Sequence, residues 1–495
     1  MLQVVWLKRD LRLRDHQAIV EAAKRGPVVL VYCFEPELVK DPHYSERHWR
    51  FVSESLDDLN KQLLPFDSSV LCFQRSALNM LSLLHDTLGT FALRSYQEVG
   101  IARTYARDKT VAAWCKANAI HWQEYRYSGV VRGLKGRSYW YEAWHERIDQ
   151  PCHDQAIDSI EWAKPERLKS LAGIDERDAL WRTPHAAFQK GGEHLAWYTL
   201  KDFVKERGKD YAFKLSSPSE SRTACSRLSP YLAWGNISTK QVYQFLNTLK
   251  AQKAWRRTIA GVQSRLQWRD HFIQKFESQP ELENNPMNEA YNSFPYLDDK
   301  QEIDRRLNAW RQGKTGIPLI DACMRCVIAT GYLNFRMRAM LISFLCHQLN
   351  IDWRLGSKHL AAQFLDFEPG IHYPQFQMQA GVTGINAIRL YNPLKQARER
   401  DPESSFISKW LPELSNLPAE VRSTVNELSD MELTMHGFDL KQHYYEAVID
   451  LNVSTHQARD RLWAFQKHPL VKAANIDVLK RHTIPDRARM LTMRS

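Results

Sequence analysis

The chain has 495 residues, a formal net charge of +11 and 44% hydrophobic residues. A chain of this length holds two or more domains and buries large cores. It contains no run of about 18 apolar residues that could cross a bilayer, and it opens with a strand pattern rather than a signal peptide. We therefore expect a cytoplasmic protein that does not bind membranes. The positive charge favours an anionic partner, for which nucleic acid is the natural candidate.

Residues 1–128 alternate short apolar runs with amphipathic segments. The runs with the length and composition of buried strands lie at residues 4–7, 28–34, 69–73, 92–96 and 121–125. Helical patterns lie between them, for example from Ser45 to Gln62 and from Ala102 to Asn118. This alternation predicts an α/β domain with a doubly wound parallel sheet. Such sheets bind ligands at the carboxyl ends of their strands.

The pattern changes beyond residue 128. Residues 129–200 lose the strand pattern and carry charged, Pro-containing segments, which predicts an interdomain linker. Residues 201–467 are predominantly helical in pattern, which predicts an all-α domain. Residues 468–495 hold six Lys or Arg against two Asp. We expect them to form a basic C-terminal extension that is a solvated tail rather than a DNA contact.

The eight cysteines are scattered along the chain. This distribution argues against a disulfide framework and favours a reducing compartment. Cys323 and Cys326 form a C-x-x-C pair within a helical pattern. A structural pair of small apolar side chains is the favoured interpretation, and a redox or metal-binding pair is the alternative.

The segment Cys225–Gly235, CSRLSPYLAWG, combines hydroxyl groups, an arginine and a turn into an apolar helix. Ser226 and Ser229 supply the hydroxyls, and the chain turns at Pro230. Hydroxyls and free N–H groups at a helix N-terminus form an anion site suited to a pyrophosphate, and Arg227 adds charge. An ordinary capped helix is the alternative interpretation.

This segment resembles the FAD-binding domain of photolyases and cryptochromes, and four further segments resemble the same family in the same order. They are VVWLKRDLRLRDH (residues 4–16), AWRQGKTGIPLIDACMR (309–325), RLYNP (389–393) and WLPEL (410–414). Five ordered matches are far more specific than one short motif. The resemblance implies an N-terminal α/β domain, an all-α C-terminal domain that binds FAD, and a crevice that can hold an antenna pterin or deazaflavin.

The resemblance also assigns FAD contacts residue by residue. Arg338 and Asp366 correspond to an Arg–Asp pair beside the isoalloxazine, where the cation holds negative charge as the flavin is reduced and the carboxylate orients the cation. Glu368 corresponds to an acidic position near the ribityl chain and the ring edge. The remaining FAD-binding positions that the resemblance implies are Tyr211, Cys225, Ser226, Arg227, Leu228, Ser229 and Arg269.

His372 is a further FAD-binding position that the resemblance implies, and it and Cys225 depart from the family pattern. Cys225 stands where the family usually has Thr, and a thiol is a weaker hydrogen-bond partner than a hydroxyl. His372 stands where most photolyases carry Asn next to flavin N5. Imidazole titrates near physiological pH, so His372 is expected to bias the protonation of the one-electron-reduced flavin. A histidine that is hydrogen-bonded for structural reasons is the alternative.

The largest departure concerns the pocket for the DNA lesion. Photolyases of cyclobutane dimers use E-L-x-W on one helix, whereas this chain has R-L-Q-W, with Arg265 in place of the Glu and Trp268 retained. Residues i and i+3 share a helix face, and Arg stays charged and donates several hydrogen bonds. The second stacking Trp becomes Met378, a flexible thioether. We expect a pocket that binds a flipped dimer with inverted electrostatics.

The electron supply to the flavin is altered as well. Many family members pass an electron inward through three tryptophans, of which Trp353 corresponds to the middle one. Phe376 occupies the flavin-proximal position, and the surface position aligns near Lys300. Phenylalanine is too hard to oxidise to serve as a hopping station. We therefore expect another route, through Tyr373, Tyr391 or another tryptophan.

Two functions from different classes remain. The first is a deoxyribodipyrimidine photolyase-like lyase, in which reduced FAD donates an electron to a dimer flipped out of DNA, with Arg265, Trp268, His372 and Met378 as catalytic candidates. The second is a cryptochrome-like blue-light photoreceptor, which Arg265, Met378 and the broken tryptophan chain favour. The retained Trp268 and the positive net charge count against the photoreceptor, so we predict repair.

Further expectations concern lesion type, metal and assembly. A (6-4) activity is less supported, because residues 333–336 read LNFR and lack the histidine of that activity. No cysteine follows Cys346, so we expect no iron–sulfur cluster and no other metal site. We expect a monomer.

Overall fold

The structure is a computed structural model, and it describes residues 1–483. The chain divides into two compact units. Unit 1 comprises Met1–Lys209, Ser226–Glu283 and Leu365–Ile371, and unit 2 comprises Asp210–Cys225, Asn284–Phe364 and the chain from His372 onward. The domain boundaries expected at residues 128, 200 and 467 stay a prediction.

Unit 1 contains a five-stranded parallel sheet. Its strands are β1 (Gln3–Leu7), β2 (Val28–Cys33), β3 (Val70–Phe73), β4 (Ala92–Tyr96) and β5 (His121–Tyr125). The strand order is β3-β2-β1-β4-β5, with every neighbouring pair parallel. Strands β1 to β4 are buried along their whole length, whereas β5 lies at an edge and is partly exposed. The predicted doubly wound α/β fold and its five strands are confirmed.

Helices surround this sheet because apolar side chains recur at helical spacing between the strands. The helices of unit 1 that matter below are α1 (Gln17–Ala23), α2 (Glu46–Leu63), α3 (Ala77–Leu88), α4 (Ala102–Ala117), α5 (Trp140–Asp149), α6 (Glu193–Asp202), α7 (Ser229–Ala233), α8 (Thr239–Asn247) and α9 (Arg256–Ser278). Shorter helical turns connect them. One hydrophobic core joins the sheet to α3 and α4 through Met80, Leu84 and Val111.

The segment after β1 ties distant parts of unit 1 together. Arg9 donates hydrogen bonds to the carbonyl oxygens of Ala233 (3.3 Å) and Phe367 (3.0 Å). Arg12 donates to the carbonyl oxygen of Gly235 (3.0 Å). Gly235 has φ of 74°, and a Cβ there would lie 2.1 Å from the carbonyl oxygen of Arg9, so only glycine fits. Two of the motifs found in the sequence therefore pack against each other.

Unit 2 is helical. Its main helices are α10 (Lys300–Gln312), α11 (Pro318–Thr330), α12 (Phe335–Ser343), α13 (Trp353–Gln363), α14 (Pro369–Gln379, whose first three residues belong to unit 1), α15 (Pro393–Arg400), α16 (Leu451–Gln466) and α17 (Pro469–His482). A π-helical turn, Phe344–Gln348, follows α12. The predicted helical C-terminal domain is confirmed. None of the helices within residues 1–483 is long and apolar enough to cross a membrane.

The expectation of a solvated C-terminal tail is wrong for residues 469–482. They form α17, in which Val471, Val478 and His482 are buried. Asn288 fixes this helix by donating to the carbonyl oxygen of Val471 (3.0 Å) and to Asn475 Oδ1 (2.8 Å). The prediction followed the basic composition of this segment and overlooked its apolar residues, which are buried in the structure. The rest of the predicted extension, 484–495, lies outside the described residues.

In the GKTGIPLID sequence, residues 313–317 form the turn between α10 and α11, and Asp321 lies in the first turn of α11. The buried carboxylate of Asp321 accepts hydrogen bonds from Thr315 N (2.8 Å), Thr315 Oγ1 (2.7 Å) and Gly316 N (3.0 Å). Tyr444 Oη donates a fourth at 2.5 Å. Burial raises the pKa of Asp321 to about 6, although these donors favour the charged form. Asp321 therefore fixes this turn and holds the Tyr444 segment against it.

Replacing Asp321 with Ala should lower the free energy of unfolding by about 2–4 kcal/mol, because it leaves several buried donors without an acceptor. Urea denaturation followed by circular dichroism measures this loss. Asp304→Ala is the control, since Asp304 is an exposed carboxylate on α10, and it should change stability little. Equal effects of the two substitutions would contradict the role assigned to Asp321.

Candidate functional site

The predicted site residues divide between the two units, and each group is described within its own unit. Unit 1 holds Ser226, Arg227, Leu228, Ser229, Arg265, Trp268, Arg269, Asp366 and Glu368. Unit 2 holds Tyr211, Cys225, Arg338, Trp353, His372, Tyr373, Met378 and Tyr391.

The segment before α7 is held by paired amide and guanidinium contacts. Arg227 has φ of 62°, and its Nη2 donates to Gln189 Oε1 (3.3 Å), while Gln189 Nε2 donates to the carbonyl oxygen of Arg227 (2.8 Å). Leu228 is buried and Ser229 is exposed. Helix α7 is only five residues long, so its N-terminus contributes less to anion binding than a long helix does. The phosphate contacts of residues 226–229 stay a prediction.

Glu368 is the centre of a buried ionic network in unit 1. Its side chain is 1% exposed, and Oε2 accepts from Arg269 Nη2 (3.2 Å) and Tyr127 Oη (3.1 Å). Burial raises the pKa of Glu368, and the nearby charges of Arg9 and Arg269 oppose that rise. The second oxygen, Oε1, is buried without a hydrogen-bond partner in the described chain. It is therefore an acceptor that needs a donor.

The side chain of Arg269 is largely buried, whereas an arginine that contacts phosphate at the protein surface would be exposed. Its side chain is 9% exposed, and besides Glu368 it donates to Asp270 (2.9 Å), Tyr127 Oη (3.1 Å) and the carbonyl oxygen of Leu232 (2.9 Å). The pKa of Arg269 is raised because the acidic neighbours outweigh burial, which alone would lower it. Its contact with an FAD phosphate stays a prediction.

Sequence reasoning missed Tyr127, which contacts both Glu368 and Arg269. A signal for it existed, because Tyr127 comes two residues after β5, at the carboxyl end of the sheet where ligands bind. A single aromatic residue after a strand is too common a pattern to single out. The network that it completes joins residues from three distant parts of the chain.

Arg265 and Trp268 lie on α9, as the sequence predicted, and both are exposed. Trp268 is 44% exposed and packs edge-on against His271, with ring centroids 5.5 Å apart. Its neighbour Gln267 lies 3.3 Å from His145 Nε2 on α5. The i, i+3 spacing therefore presents a cation and an aromatic face side by side.

Trp353 is buried in unit 2 beside two aromatic rings of α14. Its ring centroid lies 6.4 Å from that of Tyr373 and 6.4 Å from that of Phe376. Trp353 and Tyr373 are 1% and 0% exposed. Lys300 is exposed at the first position of α10. The structure therefore brings a tyrosine as close to Trp353 as the phenylalanine that replaces the usual tryptophan.

His372 is anchored within unit 2. Its Nε2 donates to the carbonyl oxygen of Ser357 at 2.9 Å, since a carbonyl oxygen can only accept. The ring also packs against Tyr373 (5.4 Å) and Phe376 (5.5 Å). This bond fixes the orientation of the imidazole ring, with Nε2 as the nitrogen that carries the donated proton.

The remaining predicted residues are placed as follows. Arg338 Nε donates to the carbonyl oxygen of Leu333 (2.7 Å), and its guanidinium lies 3.9 Å from the ring centroid of Phe364. Tyr211 is buried, whereas Cys225, Asp366, Met378 and Tyr391 are half-buried. Their roles stay predictions.

The two cysteines of the C-x-x-C pair are buried in α11. Burial raises the pKa of the Cys323 thiol well above its ordinary value, so a reactive thiolate is disfavoured. This environment supports the structural interpretation of the pair. Among residues 1–483, no group of three or more His, Cys, Asp or Glu side chains is arranged to hold a metal ion.

The carboxyl ends of β1, β2 and β4 carry a cluster of paired charges. Arg107 donates to Glu35 (2.6 Å) and Glu98 (3.2 Å), and Lys8 donates to Asp108 (3.1 Å). Both cations lie 4.8 Å from the ring centroid of Trp6. These side chains satisfy one another, so they offer no unpartnered polar atom to a pterin or deazaflavin. The antenna chromophore stays a prediction.

The parallel sheet, the helical unit and the polar sites within them define a two-domain α/β plus all-α flavoprotein of the photolyase type. The model of the FAD binding domain of DNA photolyase matches residues 262–464, and that of the DNA photolyase domain matches residues 3–132. The chain belongs to the DNA photolyase/cryptochrome family, and FAD is the cofactor that its helical domain implies.

Relatives bear different names. A deoxyribodipyrimidine photo-lyase of Halobacterium salinarum is 25% identical over 475 residues, which cover 91% of this chain and 96% of the relative. A cryptochrome DASH of Gloeobacter violaceus is 26% identical over 490 residues, which cover 90% and 93%. The solved structure of a Synechocystis cryptochrome has a TM-score of 0.77 and 22% identity, and the match covers 93% of this chain and 99% of that one.

The residues present fit FAD at one testable point. The unpartnered Oε1 of Glu368 is a buried acceptor, and the ribityl hydroxyls of FAD are donors. Replacing Glu368 with Ala should therefore weaken FAD binding by about 1–3 kcal/mol, the cost of one charged hydrogen bond. The FAD-to-protein ratio after purification and a fluorescence titration measure the loss.

Glu277→Ala is the matched control for this substitution. Glu277 is also a buried carboxylate bonded to a tyrosine and an arginine, Tyr105 (2.5 Å) and Arg132 (3.2 Å). Its substitution should leave the FAD content unchanged. Full FAD occupancy in folded Glu368→Ala, or equal loss in the control, would contradict the assignment.

Proposed function

We propose that this protein repairs pyrimidine dimers in DNA by light-driven electron transfer, as a carbon–carbon lyase. The observation that carries the proposal is the exposed pair of Arg265 and Trp268 on one face of α9, next to Arg269, which is bonded to Glu368. A surface that combines an aromatic face with a cation suits an unstacked base.

Trp268 binds the flipped dimer by stacking, which contributes about 1–3 kcal/mol per base. Arg265 donates hydrogen bonds to the carbonyl oxygens of the dimer from the position that a glutamate occupies in typical dimer photolyases. Its fixed positive charge also stabilises the negative charge that the dimer gains on accepting an electron. Met378 is also assigned to lesion binding, where a thioether adapts to the shape of the lesion.

Bound FAD, when reduced and excited by blue light, supplies the electron. Arg338 and Asp366 are assigned to hold the negative charge of the reduced ring. His372 is assigned to the flavin N5 side, and its bond to the carbonyl oxygen of Ser357 orients its ring. Arg269 and Glu368 orient the cofactor chain.

A cryptochrome-like photoreceptor is the second candidate. The observation that favours it is the contact of Trp353 with Phe376, because a photolyase usually has a tryptophan at that place in the electron chain. Several relatives are named cryptochromes, and others photo-lyases. The Arg265–Trp268 pair is the feature that this alternative leaves without a role.

Replacing Trp268 with Ala should leave FAD in place and weaken binding to dimer-containing DNA by about 1–3 kcal/mol, which is roughly 5- to 150-fold in Kd. Fluorescence anisotropy with damaged and undamaged oligonucleotides measures this change. Trp463→Ala is the control, since Trp463 is 56% exposed on α16 of unit 2. Loss of FAD from Trp268→Ala, or an equal effect in the control, would show that Trp268 does not contact the lesion.

Replacing Trp353 with Phe should slow the photoreduction of oxidised FAD only in part, because Tyr373 offers a neighbouring ring at the same distance as Phe376. The double variant Trp353→Phe/Tyr373→Phe should be slower than either single variant. Flavin bleaching under blue light with an external reductant measures the rates.

Trp310→Phe is the control for this series, since Trp310 is a buried tryptophan of α10 whose ring packs against His359, whereas that of Trp353 packs against Tyr373 and Phe376. It should photoreduce at the wild-type rate. Near-complete loss of photoreduction in the single variant Trp353→Phe would show that Trp353 carries all the current and that the tyrosine route is wrong.

A further inference from the structure

Unit 2 contains a polar cavity of about 290 Å³ that has no part in the candidate flavin and lesion sites. It lies among α10, the π-helical turn after α12 and the first three turns of α16. Its walls carry two arginines, Arg306 and Arg461, and three amides, Gln348, Asn350 and Gln457. We call it the α16 cavity.

The two arginines bring more positive charge than the surrounding carboxylates neutralise. Arg461 donates from Nη2 to the carbonyl oxygen of His347 (2.9 Å) and forms no ion pair with a carboxylate in the part of the chain that the structure describes. Arg306 is paired with Glu302 (2.6 Å), but Glu302 also binds Arg305 (2.7 Å). One carboxylate therefore serves two cations, while Arg461 has none.

The surroundings of Arg461 disfavour its positive charge. Burial lowers the pKa of Arg461, and the charge of Arg306 lowers it further. Asp450 also lines the cavity, and its Oδ1 accepts from Val453 N (2.9 Å) as the cap of α16. Bound negative charge would therefore relieve the repulsion between the two arginines.

Three residues that line the cavity each carry a buried polar atom without a hydrogen-bond partner within residues 1–483. These atoms are Arg461 Nε, Gln348 Oε1 and Asn350 Oδ1. Gln348 is 2% exposed, and its amide is oriented by donation from Nε2 to the carbonyl oxygen of Tyr391 (2.7 Å). Asn350 is oriented likewise by its bond to the carbonyl oxygen of Pro295 (3.3 Å). The cavity thus offers one charged donor and two acceptors.

We propose that the α16 cavity binds a small oxyanion that also carries hydroxyl groups. The oxyanion accepts from Arg461 Nε and the neighbouring arginine, because guanidinium groups recognise phosphate and carboxylate oxygens. The hydroxyls donate to Gln348 Oε1 and Asn350 Oδ1. At about 30 Å³ for each water-sized group, the cavity admits about ten non-hydrogen atoms, the size of a phosphorylated or carboxylated three-carbon polyol.

Calorimetric titration of the full-length, FAD-loaded protein tests this proposal. Glycerol 3-phosphate and glycerate are the two probes, and they distinguish a phosphate ligand from a carboxylate ligand. Inorganic phosphate tests the oxyanion without hydroxyls. Wild type should bind one of the two hydroxylated probes at least about tenfold more tightly than inorganic phosphate, a difference of about 1.4 kcal/mol.

Two variants and one control locate the binding. Arg461→Gln should weaken it about tenfold or more, and Val453→Trp should do the same by filling the cavity mouth, since Val453 is a half-exposed wall residue without a buried polar contact. Arg459→Gln removes the same charge from an exposed position of α16 and should leave binding unchanged.

Three results would overturn the proposal: no binding of either probe to wild type, equal affinity for inorganic phosphate, or equal weakening in Arg459→Gln. If Arg461→Gln does not fold, undiminished binding by folded Val453→Trp overturns it alone. None of these substitutions touches Arg265, Trp268 or Glu368, so a failure here is distinct from a failure of the proposed repair function.

Discussion

The buried carboxylate of Glu368 is the interaction on which unit 1 depends. Glu368 lies in the short segment Leu365–Ile371 of unit 1, and its carboxylate binds Arg269 of α9 and Tyr127 after β5. A buried charge is costly unless paired. Its attraction to these partners therefore fixes α9, and with it the orientation of Trp268 one residue before Arg269. One ionic network thus orients both α9 and the chain around Glu368.

Arg9 extends the same constraint to the sheet. It is buried, donates to the carbonyl oxygens of Ala233 and Phe367, and lies 4.7 Å from the ring centroid of Trp234. The segment after β1 is consequently held against both the SRLSPYLAWG segment and the chain around Glu368. Motifs more than 200 residues apart in the chain therefore support the same part of unit 1. Each supplies groups that the other would otherwise leave buried and unpaired.

Much of this architecture could be predicted from the sequence, because strand length, helical spacing and the ordered motifs are local patterns. All five strands and the Arg265–Trp268 helix follow from them. Other features depend on contacts between distant residues. The partners of Glu368, the docking of α17 through Asn288 and the cavity between Gln348 and Arg461 join residues tens to hundreds of positions apart. A basic composition therefore suggested a solvated tail where Val471 and Val478 are in fact covered.

In the proposed function, the reduction of the flavin and the repair of the dimer are separate steps. Repair starts from reduced FAD and depends on the proposed lesion pocket, whereas photoreduction depends on Trp353 and its neighbours. On that proposal, Phe376 in place of the usual tryptophan affects how the flavin is reduced, not how a dimer is split. A chain can lose the usual tryptophan path and remain a repair enzyme, provided that cellular reductants keep FAD reduced.

The most direct measurement is an illumination assay with chemically reduced protein and dimer-containing single- and double-stranded DNA. Dimers are counted by chromatography after equal times in blue light and in the dark. Repair by reduced FAD predicts loss of dimers in the light, no loss in the dark, and no loss in the light with Arg265→Ala/Trp268→Ala. Unchanged dimers in the light, with FAD spectroscopically confirmed as fully reduced and the DNA bound, would contradict repair and favour the photoreceptor.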